Sequence, residues 1–198
     1  MVSNKIIIQI GKRKVGKTEF CKKFLKEKRV KRALILDFQD EYDEYKVLSE
    51  QNDLYEKFIL NSSEKLIYRI FANKTIEEWR KQCDFIFLNF SGGLIIIENL
   101  KFIYNKFPNS LIPMISVNKT KKIDIIINFN SYDFSLNQKL IVNSDFIIMY
   151  QTNEFLEKYK IKLKSYDLYE LFKNAQKETE QSPFFVYINL IDRTIRKN

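Results

Sequence analysis

The 198 residues include no histidine and only two cysteines, Cys21 and Cys83. Histidine-based catalysis is thereby excluded, and so are the usual zinc frameworks and any disulfide scaffold. Both cysteines read as small buried hydrophobes. There are only four glycines and three prolines, while Lys, Ile, Asn, Phe and Tyr abound, a bias that A/T-rich coding produces. No apolar run approaches the ~20 residues of a membrane-spanning helix. The stretch from Met1 to Ile6 is too short in its apolar part for a signal peptide. The expectation is a protein without a membrane span, working in the cytoplasm.

Positive charge is in excess, with 34 Lys and Arg against 25 Asp and Glu, a formal net charge of +9. Basic residues gather at Lys12 to Lys14, Lys22 to Arg32 and Lys119 to Lys122. Such charge suits contact with nucleic acid, but A/T-biased coding also raises lysine, so charge alone decides little. At 45% hydrophobic and 30% charged residues, the balance is that of one globular domain over 1–198.

Apolar runs at Lys5 to Ile10, Ala33 to Leu36, Leu66 to Phe71, Leu94 to Ile97, Ile123 to Asn128 and Phe146 to Tyr150 read as strands. They alternate with helical patterns at Thr18 to Glu27, from Thr75 towards Phe90, at Ser135 to Val142 and at Asn153 to Lys177. Asp43 to Ser63 reads as partly helical. Thr75 and Glu78 have the spacing of a capping box. Phe184 to Leu190 and Thr194 to Arg196 suggest a terminal hairpin. Strands apolar throughout and alternating with helices predict a mainly parallel α/β sheet covered on both faces.

The most specific signal is Gly11-Lys12-Arg13-Lys14-Val15-Gly16-Lys17-Thr18, a complete G-x-x-x-x-G-K-[ST] between a strand and a helix. Its glycines let consecutive backbone N–H groups face phosphates, and the helix N-terminus adds its dipole. Lys17 would reach the β and γ phosphates of ATP, and the Thr18 hydroxyl would ligate Mg²⁺. Lys12, Arg13 and Lys14 add charge at the loop tip. No G-x-G-x-x-G is present, which disfavours a dinucleotide site.

Such a loop needs an acid at the end of a neighbouring strand. Leu94-Ile95-Ile96-Ile97-Glu98-Asn99 supplies one, with Asn99 where an Asp-Glu pair would carry its second carboxylate. Two assignments fit. In the first, Glu98 holds the Mg²⁺ shell and Asn99 stands where the base should be. In the second, Glu98 is the base and Asp37 completes the metal shell.

The order of these features resembles the FtsK–HerA superfamily. The phosphate loop is followed by a strand ending in Asp37, with Glu41-Tyr42 behind it, and by Leu66-Ile67-Tyr68-Arg69 before a long helix. Then come the Glu98 strand, Asn118-Lys119, Ile125 to Asn130, and Asp145 to Thr152. Within that superfamily the chain looks like the small genome-packaging ATPases of tailless icosahedral viruses with membranes. The resemblance implies a three-layer, RecA/ASCE-like P-loop fold and an ATP-driven translocase for double-stranded DNA, working without sequence preference. It further implies a homo-oligomeric ring, capsid or portal-vertex partners, and a place in the host cytoplasm or with the virion. In that family a Gln after the acidic strand senses the γ-phosphate, and Asn130 would take that place here. An Arg from the neighbouring subunit is replaced by Lys119, which keeps charge but loses the bidentate fork. Other readings are a Zot-like phage-assembly or plasmid-transfer ATPase, a slow or non-hydrolysing nucleotide switch, and a small-molecule kinase. The first lacks its long apolar segment and the last its arginine-rich lid.

Overall fold

In the structure, a computed structural model, residues 4–27, 30–48, 66–71, 75–98, 110–130, 138–152, 156–163, 166–181 and 185–197 are described. Asn99 and most of the Asp43 to Ser63 stretch lie outside them. The strands are β1 (Ile6–Ile10), β2 (Arg32–Asp37), β3 (Lys46–Val47), β4 (Leu66–Phe71), β5 (Gly93–Ile97), β6 (Ile123–Phe129), β7 (Phe146–Tyr150), β8 (Phe185–Asn189) and β9 (Thr194–Lys197). The helices are α1 (Lys17–Glu27), α2 (Ile76–Asn89), α3 (Leu111–Ser116), α4 (Asn118–Lys121), α5 (Gln138–Asn143), α6 (Lys160–Leu163) and α7 (Tyr166–Gln181).

The strands form one sheet in the order β3-β4-β2-β5-β6-β1-β7-β8-β9. Every pairing from β3 to β7 is parallel. The β8–β9 hairpin adds antiparallel to β7. Ile6 to Ile10 and Leu94 to Ile97 are buried throughout, as strands covered on both faces require. Alternation divides the core in two. Ile6, Ile8, Ile10, Ile95, Ile97, Ile125 and Ile127 pack with residues of α2, α3, α5 and α7. Ile7, Ala33, Ile35, Leu94, Ile96, Ile126 and Ile148 pack under Cys21 and Leu25 of α1. With β6 standing between β1 and β5, the phosphate-loop and Glu98 strands have the RecA/ASCE spacing that the resemblance implied.

Local signals carried through. Thr75 accepts from the Glu78 N–H at 3.3 Å, and Glu78 accepts from the Thr75 N–H at 2.9 Å, completing the capping box at the start of α2. Behind that cap Trp79 is 1% exposed and meets Phe38 edge-on at 4.8 Å. The described start of the 43–63 stretch holds the edge strand β3, and the rest of that partly helical expectation lies outside the described residues. One expectation needs correction. Asn153 to Lys177 is broken into a 3₁₀ turn at Leu156–Tyr159, the short α6, and α7, which runs on to Gln181. Helices α3 and α4 had no periodic signal. Pro113 is tolerated in α3 because it occupies the first turn, where its missing N–H has no intrahelical partner. Among the described residues no helix is long and apolar enough to cross a membrane.

Candidate nucleotide-binding site

The parallel strands all end at one edge of the sheet, where α/β ligand sites form. Gly11 follows β1 there, donating its N–H to the Phe129 carbonyl at 3.3 Å, while Lys12 donates to the Gln151 carbonyl at 3.2 Å. A Cβ on Gly11 would lie 2.6 Å from the Tyr150 Cβ, so only glycine fits between β1 and β7. Gly16, at φ 97°, closes the loop in a conformation that suits glycine. Lys12 is half-buried, and Arg13 and Lys14 are exposed.

Lys17, 6% exposed, folds back over the loop and donates to the Gly11 and Lys12 carbonyls, both at 2.8 Å. Burial lowers its pKa to about 8, against the pull of Glu98 and Glu41. The Thr18 hydroxyl donates to Glu41 Oε2. Glu41 is placed by the turn after β2. Asp37 Oδ1 accepts from the N–H groups of Gln39 at 3.3 Å and Glu41 at 3.0 Å, and Oδ2 accepts from Tyr42 N–H at 3.0 Å. Arg69 on β4 braces the same turn, 3.3 Å from Asp37 Oδ2 and also paired with Asp40. Both oxygens of the fully buried Asp37 are thus taken up by the turn and Arg69, and the carboxylate that meets Thr18 is that of Glu41.

Glu98 follows β5, its N–H held by the Leu36 carbonyl at 3.0 Å. Its Oε1 accepts from the Tyr42 hydroxyl and, at 2.6 Å, from Asn128 Nδ2. Burial raises its pKa to about 7 despite the Tyr42 hydrogen bond, with the charge of Glu41 pushing the same way. Asn128 is 1% exposed, and its Oδ1 is buried with no hydrogen-bond partner among the described residues. Beneath the loop, Gln9 Nε2 donates to Cys21 Sγ at 3.1 Å and Gln9 Oε1 accepts from the Tyr150 hydroxyl at 2.8 Å. Burial pushes the Cys21 thiol up to about 12. Both cysteines are free and buried, as their composition suggested.

Lys17, Thr18 and Glu98 therefore converge, while Asn130 directly follows the Phe129 carbonyl that holds the loop and Lys119 stands at the far end of β6. Asn130 sits one residue beyond β6, half-buried, and the carboxamide that meets Glu98 belongs to Asn128. Lys119 is exposed on α4, ahead of β6. The seven residues of β6 separate it from the loop edge, at ~3.3 Å each roughly 20 Å. Glu41, Asn128 and Gln9 were not singled out. The last two carried a legible signal, each being one amide inside an otherwise apolar strand.

The hydroxyl of Thr18 and the carboxylates of Glu41 and Glu98 are hard oxygen donors around one buried ammonium, a set whose chemistry fits Mg²⁺ beside phosphate. The orphaned Asn128 acceptor beside Glu98 fits a site completed by a ligand or water.

No protein-family model matches this chain, and no curated protein sequence does. Solved structures do. The genome-packaging NTPase B204 from Sulfolobus turreted icosahedral virus 2, in complex with ATP-gammaS, superposes with TM-score 0.70 at 16% identity, over 99% of this chain and 97% of its own. The fold is shared with this NTPase. The complex of the same NTPase with AMP gives TM-score 0.71 at 16% identity, covering 100% and 98% of the two chains. Thermomonospora curvata EccC (ATPases 2 and 3) reaches TM-score 0.50 at 8% identity, over 75% of this chain and 30% of that one. The end-to-end likeness to B204 takes in the hairpin β8–β9, which the pattern of Phe184 to Leu190 and Thr194 to Arg196 suggested.

Proposed function

We propose that the chain is an ATP-driven DNA translocase of the genome-packaging kind, hydrolysing MgATP as a ring of subunits to move double-stranded DNA into a preformed capsid. One observation carries the reading: a complete phosphate loop with Lys17, Thr18, Glu41 and Glu98 converging on it, in a fold that matches a packaging NTPase over its whole length.

Gly11 to Thr18 cradle the phosphates, and Lys17 holds the β and γ groups. Mg²⁺, when bound, neutralises phosphate charge and polarises its waters. Thr18 and Glu41 hold its shell together with Glu98, while Asp37 fixes the turn that carries Glu41. Asn128 aligns Glu98, and Asn130, just beyond β6, senses the γ-phosphate. Lys119, remote from its own loop, acts on that of a neighbouring copy. Lysines bind the DNA through its phosphates, and capsid or portal-vertex proteins are the partners. Asn99 in place of a base makes turnover by the isolated chain slow. That substitution also favours a second reading, a nucleotide-dependent switch that binds without hydrolysing.

The test is phosphate release with and without linear double-stranded DNA. The expected result is release stimulated by DNA, with DNA affinity falling steeply between about 50 and 200 mM salt, as neutralisation of several phosphates requires. Nucleotide binding with no release, and no DNA affinity at the lower salt, would hand the assignment to the switch.

A further inference from the structure

Glu41 and Tyr42 are consecutive residues that serve two different elements of the site. Glu41 meets the Thr18 hydroxyl at the start of α1, while the Tyr42 hydroxyl donates to Glu98 at the end of β5. The stretch that carries both is held along its length. The Asp37 carboxylate accepts from the N–H groups of Gln39, Glu41 and Tyr42. Beyond them, Tyr45 N–H closes on the Tyr42 carbonyl at 3.0 Å, and Leu48 N–H reaches the Arg69 carbonyl at 2.8 Å. Arg69 in turn donates from Nε to the Tyr45 carbonyl at 3.1 Å. The turn after β2 is therefore a fixed bracket braced on β4, and Tyr42 is the part of it that reaches Glu98.

Tyr42 is fully buried. Its ring packs in one cluster with Cys21 and Leu25 of α1, and Lys22 Nζ stands over it at 5.5 Å. A phenylalanine would serve that packing without burying a hydroxyl, which costs desolvation. The hydroxyl therefore needs a reason of its own, and its effect falls on one oxygen. Strand β5 lies between β2 and β6. Glu98 Oε1 accepts from both sides, from Tyr42 after β2 and, at 2.6 Å, from Asn128 Nδ2 on β6. Oε2 takes no hydrogen bond from a described residue. A free glutamate side chain samples many rotamers. Two donors on one oxygen select among them and leave the second oxygen on offer.

We propose that Tyr42 is a positioning residue for Glu98: it ties down Oε1 so that Oε2 is the oxygen presented to the Mg²⁺ shell, at a set spacing from Glu41. The proposal rests on the phosphate-loop reading above. Glu41 and Glu98 belong to separate elements, one in the turn after β2 and one after β5. The Tyr42 hydroxyl links their side chains through a single turn of backbone. Mg²⁺ demands near-ideal octahedral geometry, whereas Ca²⁺ accepts varied angles and ligand numbers. A carboxylate held at a fixed angle therefore matters far more to Mg²⁺ than to Ca²⁺. Loss of the one hydroxyl loosens that angle and leaves the loop, Lys17 and Thr18 in place.

The experiment titrates the full chain with ATP by calorimetry in EDTA, in Mg²⁺ and in Ca²⁺, for wild type and for Tyr42→Phe, which removes one oxygen and keeps the ring. Affinity in EDTA should be unchanged, which also checks the fold. The gain given by Mg²⁺ should fall by about 10-fold, the low end of what losing a residue behind a metal-holding group costs. The gain given by Ca²⁺ should stay close to that of wild type, a split that a merely structural role would not produce. An undiminished Mg²⁺ gain overturns the proposal, and so does an equal loss for the two ions. A variant that has lost ATP affinity in EDTA assigns Tyr42 to the fold and overturns it too. Wild type that binds ATP with no gain from Mg²⁺ overturns the metal site and this proposal with it. Wild type that binds no ATP under any of the three conditions overturns the phosphate-loop reading itself.

Discussion

Glu98 is kept at the site against the interest of the fold, and Glu98→Gln makes that measurable. Burial lifts its carboxyl from the usual 4.5 to about 7. Below pH 4.5 the group is protonated in both folded and unfolded chains and costs nothing. Between 4.5 and 7 the unfolded chain ionises while the folded one resists, so stability falls as pH rises. Above 7 the loss is complete, about 3 kcal/mol for a displacement of this size. Glutamine carries no charge to desolvate, and its Oε1 can still accept from Tyr42 and Asn128 as Glu98 Oε1 does. The variant should therefore match wild type near pH 4.5 and exceed it at pH 8. For a domain of this size about 3 kcal/mol corresponds to roughly 6–12 °C in Tm. Thermal unfolding followed by circular dichroism from pH 4.5 to 8.5, without nucleotide and with EDTA, reads the difference. A gap between variant and wild type that does not change with pH would refute the reasoning. So would a variant less stable than wild type at pH 8. The same substitution should weaken MgATP binding, the trade between stability and function seen where a site retains a strained group.

Two further substitutions separate the roles of the charged groups. Lys17→Ala should leave the fold intact, since the amine it removes is held in a burial that lowers its pKa to about 8. It should weaken both ATP and tripolyphosphate by about 10- to 100-fold, the range of a lost charge-assisted contact; fluorescent-nucleotide titration showing wild-type affinity would sink the loop assignment. Glu41→Gln should leave ATP affinity in EDTA unchanged and cut the gain given by Mg²⁺ by about 10-fold. Calorimetric titration with and without the metal would show an undiminished gain if Glu41 only braces Thr18.

How much of this was legible before the structure differs by element. The central strands were clear because a strand buried on both faces must be apolar at every position, and Ile6 to Ile10 and Leu94 to Ile97 very nearly are. The phosphate loop was clear because its glycines are demanded by backbone geometry, at Gly11 by the approach of Tyr150 and at Gly16 by its positive φ. The acid on Thr18 was not clear. Asp37 and Glu41 both follow β2, and only the turn built on the Asp37 oxygens decides which faces the loop. The amide that meets Glu98 was not singled out, because Asn128 lies inside the apolar run of β6 rather than at its end. Helices α3 and α4, at six and four residues, are too short for periodicity to register.

Asn128 points to a rule that holds across the sheet. Gln9, Asp37, Glu98, Asn128 and Tyr150 come from five different strands or strand ends, and each shares its parity with residues packed under α1. All five therefore lie on one face, at one edge. Each is 5% exposed or less, so each costs desolvation that an isoleucine in its place would not. Stability cannot be the reason for a row of polar groups at successive strand ends on the face that also carries the phosphate loop. The departure from core patterning is itself the mark of the site. Applied to the sequence, it singles out Gln9 in Ile-Ile-Ile-Gln-Ile and Asn128 in Ile-Ile-Ile-Asn-Phe, the two amides that the loop motif alone left unnoticed.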